Sequence, residues 1–126
     1  MRIKILSAKD YDVKLKCTVH ATGKLGFTEA TSSRLEFNEE SAIKFGLDEE
    51  DEETLYLVNS KIKDEDSFSV NKIGDYYSVN AKTLFDNLGF DYTNNIISFD
   101  MIEVKSNDFN EGEEVYKLIR KEKPRK

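Results

Sequence analysis

Tryptophan is absent from this chain, and cysteine, histidine and proline occur once each. The lone Cys17 excludes an internal disulfide framework and a cysteine-built zinc site. The lone His20 leaves no second imidazole to share a metal, and no base–nucleophile pairing can be assembled around it for a hydrolytic triad. His20 therefore reads as a surface strand residue and Cys17, on the apolar phase of its strand, as a small core side chain. Six glycines form no phosphate-cradling loop: Gly23 and Gly26 are only a pair, and no Gly-Lys-Ser/Thr follows them. No apolar run approaches membrane-spanning length, and residues 1–6 alternate charged and apolar side chains without a signal-like core. A cytoplasmic protein with no membrane partner is expected, with no cofactor, no metal and no small-molecule substrate implied.

What the chain does have is aromatic and charged. Eight Phe and six Tyr in 126 residues, with 38% apolar content, are enough to close one folded domain without disulfides or metal. The net charge of −6 is unevenly spread. Residues 1–35 hold seven Lys/Arg against three acids, residues 117–126 hold six against one, and residues 36–116 hold six against 21. A basic–acidic–basic order bears on partners and self-association rather than on fold, and the alternative is that the opposite charges attract one another across one small domain. The run from Asp48 to Glu53 lacks the glycine and the alternating oxygen ligands of a calcium loop, so it reads as a solvated hairpin tip, as does Asp64-Glu-Asp66.

The chain also reads as if written twice. Gly23-Lys-Leu-Gly-Phe27, Leu35-Glu-Phe37-Asn38 and Ala42-Ile-Lys-Phe45-Gly-Leu47 are followed at a slowly drifting offset by Gly74-Asp-Tyr-Tyr77, Leu88-Gly-Phe90-Asp91 and Ile96-Ile-Ser-Phe99-Asp-Met101. Period-2 alternation predicts strands over 13–19, 24–27, 42–47, 54–58, 68–73, 75–79, 96–104 and 114–120, preceded by a preliminary strand over 2–6. Helical spacing is confined to 28–37, capped by Thr28, and 81–88, capped by Asn80 and stopped by Gly89. Thr31-Ser32-Ser33 lowers the propensity of the first helix. The expected fold is α+β and mostly β: tandem β-β-α-β-β repeats, about 13–60 and 67–120, form one compact domain over 1–121 with two short helices. The expected core is Val13, Leu15, Val19, Phe27, Leu35, Phe45, Leu57, Leu84, Phe85, Leu88, Phe99 and Leu118. Residues 122–126 read as a flexible basic tail.

The polar face of the 13–19 strand is the best candidate surface. Lys14, Lys16, Thr18 and His20 point the same way and Lys24 follows across the turn, a row suited to backbone phosphates. Exposed lysines also keep a strand soluble or blunt a sheet edge, and that alternative stands beside the first. Of Tyr76 and Tyr77, which face opposite sides, one at most is available to stack on a base.

The stretch Gly23-Lys-Leu-Gly-Phe-Thr-Glu-Ala, the helix ending near Leu35-Glu-Phe37 and the acidic hairpin that follows resemble the swapped-hairpin unit of SpoVT/AbrB-type bacterial DNA-binding domains. Two tandem copies resemble the MraZ arrangement. The resemblance covers 13–58 well and 68–120 loosely. It implies a barrel-like, dimeric or pseudo-dimeric core and DNA binding through basic residues near the first hairpin, with Lys24 at the family's basic position. Thr28 stands where the family usually has proline, and Asp75 replaces the basic residue in the second copy. The leading expectation is a non-enzymatic DNA- or RNA-binding, transcription-regulatory module using Lys14, Lys16, Lys24, Arg34, Lys121 and Lys123. The alternative, from another class, is a protein-interaction or scaffold domain that uses its acidic middle and exposed edge strands, including self-association as a homodimer.

Overall fold

The alternation along the chain becomes a ring of eight antiparallel strands. The structure, a computed structural model, describes residues 1–6, 14–51, 54–60, 63–104 and 113–125. Its strands are β1 (Leu15–Val19), β2 (Lys24–Phe27), β3 (Ala42–Leu47), β4 (Leu55–Asn59), β5 (Phe68–Ile73), β6 (Tyr76–Asn80), β7 (Asn95–Val104) and β8 (Glu114–Pro124). Two short helices, α1 (Glu29–Arg34) and α2 (Lys82–Asn87), follow β2 and β6. The strands close as β1-β2-β6-β5-β3-β4-β8-β7, with β7 returning to β1, so each strand has a neighbour on both sides. Closure removes the exposed edges that an open sheet would present. The loosest join of the ring is β3–β5, whose register covers only Ala42–Ser69 and Ile43–Phe68.

The period of two sends one set of side chains inward. Cys17 and Val19, Leu25 and Phe27, Leu55 and Leu57, Ile97 and Phe99, and Tyr116 and Leu118 fill the interior from five of the strands. Of the expected core, Leu15, Phe45, Leu84 and Leu88 pack on this cluster while partly exposed, and Val13 lies outside the described residues. The remainder are buried. Burial of Cys17 pushes its thiol pKa well above the usual range, which disfavours the thiolate and leaves it a core side chain.

The pairings have an internal regularity. Replacing the first five elements by the last five turns β1–β2 into β5–β6, β3–β4 into β7–β8 and β1–β7 into β5–β3, while β2–β6 and β4–β8 map onto themselves. The helices also stop alike. After Leu35, Glu36 takes φ 56°, and the N–H groups of Glu36 and Phe37 donate to Ser33 O (3.1 Å) and Ser32 O (3.0 Å). After Leu88, Gly89 takes φ 75°, and Gly89 and Phe90 donate to Asp86 O (3.1 Å) and Phe85 O (3.0 Å). Both are Schellman stops, in which a left-handed residue turns the chain so that two terminal carbonyls gain donors.

Four expectations need correction. Residues 2–6 form no strand: Ile3 and Ile5 are 76% and 84% exposed, because a ring already closed by β1 and β7 offers this segment no edge. The cap of α2 is Ala81 rather than Asn80, which ends β6 and accepts only a long 3.5 Å bond from Lys82 N. The helices are shorter than 28–37 and 81–88, because each ends at its Schellman turn. Residues 122–125 are not a loose tail: β8 runs to Pro124, and Arg125 donates from its backbone N to Asn94 O (2.8 Å), from Nε to Tyr92 O (3.0 Å) and from Nη2 to Val19 O (3.2 Å). The Thr28 cap is as expected, with its hydroxyl accepting from Thr31 N at 3.2 Å. The described part of the acidic hairpin tip is a turn tied by Asp48 Oδ1 to Glu50 N (2.9 Å) and by Asp51 Oδ2 to the Thr54 hydroxyl (2.8 Å). The polar loop 105–112 lies outside the described residues.

Candidate nucleic-acid interface

Antiparallel partners point to the same side of a sheet, so the registers show which charges meet outside the barrel. Lys16 on β1 lies opposite Asp100 on β7, which lies opposite Ile119 on β8. One step along, Thr18 lies opposite Ser98, which lies opposite Lys121. Ile96 opposite Lys123 and Ile102 opposite Lys117 share this phase. The outer face of β1-β7-β8 thus gathers Lys14, Lys16, Lys117, Lys121 and Lys123 from the two ends of the sequence. It does so because β7 pairs with both strands.

Asp100 is the carboxylate at the centre of this face. Lys121 Nζ sits 2.6 Å from Asp100 Oδ2, and Lys16 Nζ sits 4.0 Å from Oδ1. The hydrogen bond from Lys121, with the nearby charges of Lys16 and Lys14, holds the Asp100 carboxyl below the ordinary aspartate range. Two ammonium groups on one carboxylate leave an excess of positive charge facing solvent, with side chains of Lys16 and Lys121 47% and 59% exposed.

Lys24 is placed next door. Its carbonyl accepts from His20 N at 2.8 Å, and it lies opposite Asn80 on β6. It lines an outer cleft of about 460 Å³ over β1, β2 and β6, together with His20, Gly26, Ile73 and Tyr76. Gly26 admits a close approach, since a Cβ there would collide with His20 Nε2. Tyr76 is 70% exposed and Tyr77 half-buried, so the alternation leaves one of the pair available as expected.

Arg34 is not brought to this surface. Its Nη1 lies 3.3 Å from Glu114 Oε2 and its Nη2 lies 3.4 Å from Glu103 Oε1. Glu114 also accepts from Asn59 Nδ2 (3.2 Å) and the Tyr116 hydroxyl (2.8 Å), so Arg34 completes a structural polar network. Lys117 joins the outer face as well, in the alternation with Ile119, Lys121 and Lys123 along β8. Among the described residues, no three His, Cys, Asp or Glu side chains are grouped to hold a metal, and no helix is long and apolar enough to cross a membrane.

No family model, curated protein or solved structure matches the chain.

Proposed function

We propose that this protein is a non-enzymatic nucleic-acid-binding module, acting in transcription regulation, that holds backbone phosphates on the outer face of β1-β7-β8. The observation that carries this reading is the convergence of Lys16 and Lys121 on the Asp100 carboxylate, with Lys117 and Lys123 on the same face. Lys24 extends the basic surface across β2. The exchange symmetry of the pairings and the two like helix stops support a further reading, that the barrel is built from tandem β-β-α-β-β units as in the SpoVT/AbrB-type resemblance.

The test is binding of labelled DNA and RNA as salt is raised from about 50 to about 200 mM. Log affinity should fall linearly with log salt, by about 0.9 per duplex phosphate neutralised. Lys14→Glu with Lys16→Glu should abolish binding while circular dichroism and the thermal midpoint stay near those of the parent. Absence of binding by the parent at low salt overturns the reading in favour of an interaction module that uses the acidic segment.

A further inference from the structure

We infer that the cleft between His20 and Tyr76 receives an unpaired base of a single-stranded nucleic acid, with adjoining phosphates held by Lys24 and Lys16. This inference rests on the reading just proposed, because the basic face supplies the charge that brings a strand to the cleft.

Three observations converge here. The cleft has the size and lining of a small-ligand site, about 460 Å³ with predominantly apolar walls and a few polar groups. Its aromatic wall is unusually available: Tyr76 is 70% exposed and Ile73, its partner across β5–β6, is 59% exposed. A tyrosine ring in this setting offers a stacking face to any base, and the hydroxyls of Thr18 and Ser78 offer hydrogen bonds to a base edge. The charge is complementary and lies beside the apolar wall, with Lys24 in the cleft lining and Lys16 on the same outward phase of β1 as Thr18.

The spacing allows one strand to use both parts. β6, β2 and β1 are consecutive in the ring, so at a strand separation of about 4.8 Å the Tyr76 and Lys16 backbones are roughly 10 Å apart across the sheet. Thr18, opposite Gly26 on one side and Ser98 on the other, joins the cleft to the row that ends at Lys121. A duplex can lie along the lysines, but its bases are stacked and paired and cannot enter the cleft without being extruded. The cleft therefore adds affinity for single strands alone.

The experiment compares fluorescence anisotropy of short labelled oligothymidylate, oligouridylate and a duplex of equal length, at low salt, for the parent, Tyr76→Ala, Tyr76→Phe and Lys16→Ala. Single strands should bind the parent more tightly than the duplex does. Tyr76→Ala should weaken single-strand binding by about 5- to 150-fold, with duplex binding unchanged, Tyr76→Phe close to the parent and Lys16→Ala weaker for all three probes. If Tyr76→Ala leaves single-strand binding unchanged while Lys16→Ala weakens it, the cleft assignment is overturned and the basic face stands. If no probe binds, both fall. A parent dimer that Tyr76→Ala converts to monomer in sedimentation, with oligonucleotide binding unaltered, makes the cleft an interface between copies and also overturns the inference.

Discussion

Replacing Thr31 by valine removes a single hydroxyl from a side chain that is wholly buried. That hydroxyl accepts from Lys16 N at 2.8 Å, donates to Lys16 O at 3.0 Å and meets the Thr28 hydroxyl at 2.7 Å. The β1–β2 register runs only from Val19 to Cys17, so at Lys16 the threonines of the α1 cap take the place of a partner strand. Valine has nearly the same shape, so no cavity forms, but the Lys16 N–H loses its acceptor. Leaving this part-buried donor unsatisfied and losing the hydroxyl bonds should destabilise the fold by about 2 kcal/mol. With a urea slope of about 2 kcal/mol/M, the unfolding midpoint should fall by about 1 M. Thr31→Ser keeps the hydroxyl and deletes one methyl, so it should cost only about 1 kcal/mol. Parent, serine and valine should rank in that order of stability. A valine variant as stable as the serine variant would show that apolar burial, not the clamp on Lys16, holds α1 to β1.

Other outcomes follow from the same geometry. Glu36 adopts φ 56° where α2 uses Gly89, so Glu36→Gly should raise stability by about 0.5–1 kcal/mol and Gly89→Ala should lower it by about 1 kcal/mol, both read from denaturant midpoints. Phe85, fully buried and stacked on Phe90 at 5.4 Å, should cost about 3–5 kcal/mol when changed to alanine, whereas exposed Asn87→Ala should change stability by less than about 0.5 kcal/mol. The Asp100 carboxyl has a folded pKa below its unfolded value of about 3.9, so its stabilising contribution is present above that pH and is lost as pH falls through the folded value. Asp100→Asn should remove this part of the acid sensitivity of the thermal midpoint. It should also tighten nucleic-acid binding at neutral pH and steepen the salt slope, since it deletes the carboxylate that Lys16 and Lys121 share.

The strands and hairpins were legible because the period of two is a local signal, visible in runs such as Val13-Lys-Leu-Lys-Cys17 and Ile97-Ser-Phe99. Thr28 announced its cap for the same reason. The pairings β1–β7, β2–β6, β3–β5 and β4–β8 join segments far apart in sequence and left no local mark. They decide that Lys16 and Lys121 share a face and that residues 2–6 find no edge. Thr31 and Ser32, which read as weak helix formers, are the buried side of α1: tertiary hydrogen bonds and packing outweigh intrinsic propensity there. Arg34 looked like part of the basic surface because charge counting along the chain cannot see that Glu103 and Glu114 fold against it. The cleft was legible only in fragments, as an exposed tyrosine and a nearby lysine, since the approach of His20 to Gly26 depends on the β1–β2 register.

The central claim is that nucleic acid engages the outer face of β1-β7-β8, and the amide chemical shifts of the isotope-labelled chain during titration with a short oligonucleotide test it most directly. Shifts should concentrate on Lys14, Lys16, Thr18, Ser98, Asp100, Lys117, Lys121 and Lys123 and fade as salt is added, while Asp48–Asp51 and Asp64–Asp66 stay in place. A spectrum that does not move at low salt, or one that moves only at the acidic turns, contradicts the account.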